Sequence, residues 1–110
     1  MIVAVDLAST PAAVALDEPD DCRRFHVAAR GAAVNDGADP DGLARTLTEH
    51  GLGRLDGDDV WVQVEAVRGL AAGRVGASWE SDFAAMLAFA RDKGWLDASG
   101  KAIRAHVEWS

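Results

Sequence analysis

S-W-E-S-D-F-A-A-M-L-A-F-A-R-D-K-G-W, residues 78–95, followed by K-A-I-R-A-H-V-E-W, residues 101–109, decides the fold class. Trp79, Phe83, Met86, Leu87 and Ala90 recur at spacings of three and four, which predicts a helix with one apolar stripe. Ser78 is placed to accept from the first free N–H groups. Glu80 and Asp82 favour the positive end of the helix dipole, and Arg91 and Lys93 the negative end. Gly94 supplies a left-handed stop, with Trp95 folding back on Phe89 or Ala90 as the apolar partner of a Schellman motif. Past the turn at Asp97–Gly100 the period changes to two. Ile103, Ala105, Val107 and Trp109 alternate with Arg104, His106 and Glu108, the pattern of a half-buried strand.

Working outward, Ile2–Leu7 reads as a strand with two mostly apolar faces. Ser9-Thr10-Pro11 is a turn signal, and Ala12–Leu16 reads as a strand returning antiparallel to the first. The acidic run Asp17–Asp21 has no basic neighbours close in sequence and belongs at the surface. A third strand is expected from about Cys22 to Ala29 by alternation. Gly31–Gly37 reads as a loop. A helix follows, with Asp39 as N-cap, Pro40 at its first position, Leu43, Ala44 and Leu47 buried, and Gly51 at its left-handed end. Residues 54–59 read as a loop before a strand in which Val60, Val62, Val64 and Ala66 alternate with Trp61, Gln63 and Glu65. Between Val67 and Ala77 the pattern fits a short helix or a loop, because Gly69, Gly73 and Gly76 weaken helical spacing. The expected order is βββαβαβ: an α+β fold, a mixed sheet of about five strands with two main helices, in a single domain spanning 1–110.

The chain has a formal net charge of −7, which disfavours nucleic acid and anionic membrane surfaces as partners. No run reaches the roughly 18 apolar residues of a spanning helix, and the N-terminal Met-Ile-Val-Ala-Val-Asp lacks a basic leader. The single cysteine, Cys22, excludes an internal disulfide, and a cytoplasmic setting is expected. Heavy use of alanine, glycine, aspartate and arginine, against only Lys93 and Lys101, suggests a bacterial genome of high GC content.

The opening I-V-A-V-D-L-A-S-T, residues 2–10, with its returning strand, resembles the first hairpin of actin-like ATPases and of ribonuclease-H-like nucleases and resolvases. That resemblance implies Asp6 as a metal-holding carboxylate and Glu65, in V-W-V-Q-V-E, as a second. Together they would share Mg²⁺ for phosphoryl chemistry. It covers nine residues and an element order and assigns no family. The glycine spacings match no nucleotide fingerprint.

A second candidate is the polar strip formed by Arg104, His106 and Glu108, with Gln63 and Glu65 on a possible neighbouring strand, suited to an anion or a proton transfer. Trp61, among polar neighbours, and Trp109, beside the chain end, are candidate interface residues. No metal site is expected: Cys22 and His26 fall short of the four ligands of a closed zinc site, and Asn35–Gly42 departs from a calcium loop at ligand positions. The first functional reading is a non-catalytic binding protein without a cofactor, whose partner is a second copy of itself in a homodimer. The alternative is a small Mg²⁺-dependent phosphate-handling enzyme using Asp6 and Glu65.

Overall fold

The computed structural model describes residues 1–9, 12–31 and 39–109. The Thr10-Pro11 turn, most of the 31–37 loop and the calcium-like segment 35–38 lie outside the described residues. Six strands and three helices follow one another as β1 (Ile2–Asp6), β2 (Ala13–Asp17), β3 (His26–Arg30), α1 (Pro40–Glu49), β4 (Gly53–Asp56), β5 (Asp59–Gln63), α2 (Val64–Ala71), α3 (Trp79–Lys93) and β6 (Ala102–Trp109). The fold is α+β around one mixed sheet of order β2-β1-β3-β6-β5-β4. β1 and β2 form the expected antiparallel hairpin, but β3 lies on the other side of β1 and parallel to it. β6 is inserted parallel to β3 and antiparallel to β5.

The register puts Val3, Val5, Leu16, Val27, Ala29, Val60, Val62, Ile103 and Ala105 on one face. These side chains share a core with Leu43 and Leu47 of α1, Val64, Val67 and Ala71 of α2, and Trp79, Phe83 and Ala90 of α3. All three helices therefore contribute to the same side of the sheet. Among the described residues the opposite side has no covering element, and its side chains from Asp6, Ala13, Ala15, Arg30, Gln63, Arg104, His106 and Glu108 are exposed.

Local signals account for the helix ends. The Asp39 carboxylate accepts from the Gly42 N–H at 3.1 Å, and Pro40 opens α1. α1 and α3 stop in Schellman geometry: Leu52 N–H donates to the Leu47 carbonyl, and Trp95 N–H to that of Ala90. Ser78 makes no side-chain cap, because its own backbone is already helical. Trp79 instead anchors the start of α3, its indole Nε1 donating to the Pro19 carbonyl at 2.7 Å.

Three expectations need correction. Residues 54–59, expected as a loop, belong to a hairpin, in which Gly53, Arg54 and Leu55 pair with Val62, Trp61 and Val60. The strand predicted through Ala66 ends at Gln63, and Val64 begins α2. There the Val64 N–H turns to the Lys101 carbonyl, and Val64, Val67 and Ala71 reach the core at helical spacing. Valine at 60, 62 and 64 is buried under either period, so the switch is invisible to alternation. The third strand is also shorter than expected, since Cys22–Phe25 lies outside it.

The turn before β6 is built on Asp97. Its Oδ1 accepts from the N–H groups of Lys101 at 2.9 Å and Ala102 at 3.2 Å, and Ser99 donates its hydroxyl to the same carboxylate. Desolvation, the largest single influence, pushes the Asp97 carboxyl upward. The hydrogen bonds from Ala102, Lys101, Ser99 and Gly100 outweigh it and hold the group below its ordinary 3.8. A lowered carboxylate contributes stability that is complete above the ordinary value and is lost as pH falls through the lowered one. Thermal melts should therefore show wild-type stability falling below about pH 3.8. Asp97→Asn should be less stable at neutral pH, with a shallower loss over that acid limb. Parallel acid limbs in the two proteins would contradict the geometry of this turn.

Candidate functional site

The open face of the sheet is arranged in rows set by the strand register. Val27 stands opposite Val107, so one residue earlier on each strand His26 comes beside His106. His106 in turn pairs with Asp59 of β5, and Arg104 with Trp61. The imidazoles of His26 and His106 stack with ring centroids 5.3 Å apart. The Glu108 carboxylate reaches both: its Oε2 is 3.2 Å from His26 Nε2 and its Oε1 is 3.2 Å from His106 Nε2. The hydrogen bond from His106, then the charge of His26, hold the Glu108 carboxyl below its ordinary value. The three possible ligand atoms lie within 4.8 Å of one another, which makes this a set able to hold a metal ion.

Around the cluster the charges are mutually satisfied. Arg104 places Nε and Nη2 on Asp59 Oδ2 at 2.8 and 2.7 Å. Trp61 Nε1 donates to Asp56 at 3.1 Å, with the Arg54 guanidinium 5.9 Å from its ring centroid. A shallow concavity of about 580 Å³ opens beside His106, bounded by Phe25, Asp59, Trp95, Arg104 and Ala105. Toward β2 the same face changes character. Ala13 and Ala15 are exposed there while Ala4 and Ala28 beside them are nearly buried, which leaves a low surface bordered by the Arg30–Asp17 ion pair at 3.0 Å.

The carboxylates suggested by the hairpin resemblance are not brought together. Asp6 is level with Arg30 at the C-terminal end of β3, whereas Gln63 pairs with Ala102 at the opposite end of β6. At about 3.3 Å per residue, the length of β6 between those levels alone exceeds about 20 Å. Asp6 accepts from the Ala8 N–H at 3.0 Å, and Glu65 pairs with Arg68 at 2.7 Å within α2. Arg68 also reaches Glu80 and so links α2 to α3.

The other sequence candidates divide. Arg104, His106 and Glu108 do share an exposed strip, and Trp61 and Gln63 lie on the same open face. Trp109 is on the other face, half-buried against the core. Burial first, then the negative charge of Asp82, pushes the Cys22 thiol upward. His26 is the residue that sequence reasoning assigned elsewhere, by grouping it with Cys22. Its signal is position: it occupies the polar phase of a strand, as His106 does, and only the pairing of β3 with β6 makes them neighbours.

No family model, curated protein or solved structure matches this chain. Among the described residues no helix is long and apolar enough to cross a membrane.

Proposed function

We propose that this protein is a non-catalytic binding module that assembles with a second copy of itself through the open face of its sheet. The observation that carries this reading is the one-sided sheet, whose uncovered face passes from a polar cluster to a low patch of alanines. Sheet growth at the edges is disfavoured at both ends. Arg74 Nη1 occupies the Leu16 carbonyl of β2 at 2.6 Å, and β4 is only four residues long and carries exposed Arg54 and Asp56. Face-to-face contact remains, and a twofold arrangement lets the same patch serve both copies. The polar groups nearby support binding over catalysis, because Asp59, Asp17 and Glu108 already have partners.

Magnitude sets the expected strength. Six strands at about 4.8 Å spacing and averaging about 17 Å in length present roughly 500 Å² per copy, at the low end for a specific interface. Association is expected at micromolar concentration. Light scattering should give a mass rising toward twice 11.6 kDa as concentration increases through that range. Ala15→Lys, at an exposed position in the middle of β2, should keep the fold and remain monomeric. A wild-type mass that stays monomeric at concentrations far above micromolar overturns the proposal.

A further inference from the structure

We infer that His26, His106 and Glu108 form a binding site for one divalent first-row transition ion, with zinc as the reference occupant. The inference stands on the cluster itself, whose residues lie on the same open face that the proposed dimer uses, and its test reads ion binding and not mass. Two imidazole nitrogens and one carboxylate are a recurrent three-ligand set for zinc and its neighbours, with the remaining positions left to water or an added ligand. The spacing is suitable. Tetrahedral zinc with bonds of about 2.0–2.1 Å separates its ligand atoms by roughly 3.4 Å. Each histidine Nε2 is already 3.2 Å from a Glu108 oxygen. Closing the set within its 4.8 Å span needs only movement of the outer side chains.

Burial shows which side chains can move. The His26 side chain is 18% exposed and forms the fixed wall, while His106 and Glu108 are 60% and 61% exposed and free to adjust. All three project from paired strands, a more rigid support than a loop. Asp59, level with His106, is held by Arg104 and so does not neutralise the cluster by itself. The concavity beside His106 leaves room for the ligands that complete the coordination shell.

The chain contains its own control. Its third histidine, His50, caps α1 and is not part of the cluster. Titration of the purified full chain with Zn²⁺ by calorimetry, and with Co²⁺ by visible absorption, should give one ion per chain. Addition of Zn²⁺ should displace the Co²⁺ absorption. His26→Gln and His106→Gln should each weaken binding by about tenfold or more, since even ligand-supporting residues contribute on that scale. Glu108→Gln should weaken it too, whereas His50→Gln should match wild type. Circular dichroism of the same samples checks that each variant is folded, and the exposed Glu108 substitution provides a test even if His26→Gln is not. Absence of stoichiometric binding to the wild type, or binding that survives both histidine substitutions, overturns the assignment. So does loss of binding in His50→Gln alone, which would place the ion elsewhere.

Discussion

Phe83→Ala is expected to cost about 3–5 kcal/mol of folding stability, the range for deleting a buried aromatic side chain. Phe83 is fully buried on α3 and lies nearly parallel to the Trp79 ring, with centroids 4.6 Å apart. Trp79 cannot readily move into the space left behind, because its Nε1 is tied to the Pro19 carbonyl. The Arg68 guanidinium, 5.3 Å from the Phe83 ring, would also lose its aromatic partner. The expected loss is a large part of the roughly 5–15 kcal/mol that holds a domain folded. Urea unfolding should show the midpoint falling with little change in slope. Phe83→Leu, which restores most of the volume, should recover much of the difference. If alanine costs under about 1 kcal/mol, α3 does not pack on the sheet through this ring.

Gly53→Ala should be the most damaging change of one methyl group. Gly53 has φ of +148°, a conformation that side chains rarely adopt, and a Cβ there would lie 1.9 Å from the Trp61 carbonyl oxygen and 2.9 Å from its carbon. The obstruction is backbone and cannot rotate away. Nor can Gly53 shift easily, since it pairs with Val62 while the preceding Leu52 is fixed by two hydrogen bonds. One runs from its own N–H to Leu47, the other from the Gln63 N–H to its carbonyl. The expected cost is about 3 kcal/mol or more, combining backbone strain with separation of β4 from β5. In a domain of this size that lowers the melting temperature by roughly 10–20 °C. Gly57→Ala is the matched control: its φ is +61°, but nothing lies within 4 Å of the added carbon, so only the conformational penalty remains, about 1 kcal/mol. Equal melting temperatures for the two variants would mean that the β4–β5 pairing is wrongly placed.

These positions show how unevenly the structure was legible. The stripe of Trp79, Phe83 and Ala90, the Asp39 cap, the Gly51 and Gly94 stops and the alternation of β6 could all be read directly. Each depends on residues within a turn or two of one another. Arg104, His106 and Glu108 were legible as a strip for the same reason. The β4 strand was hidden in a polar stretch, because an edge strand paired on one side can carry Arg54 and Asp56 into solvent. The end of β5 was hidden because buried valines satisfy a strand and a helix equally.

What the sequence determined by itself was the set of elements with clear periodicity, the α+β class and the centre of each buried stripe, though not its edges: Ala44, Met86 and Leu87 are only half-buried, and Thr46 is buried. Those determinations follow from local spacing and from the preference of apolar groups to leave water. The order of the strands was decided only in the tertiary structure, because strand alternation identifies a face and not a neighbour. Inserting β6 between β3 and β5 brings His26 within 3.2 Å of a glutamate 82 positions later in the chain, and places Asp6 and Glu65 at opposite ends of the sheet. The candidate site is a property of that long-range register. No spacing motif along the chain encodes it.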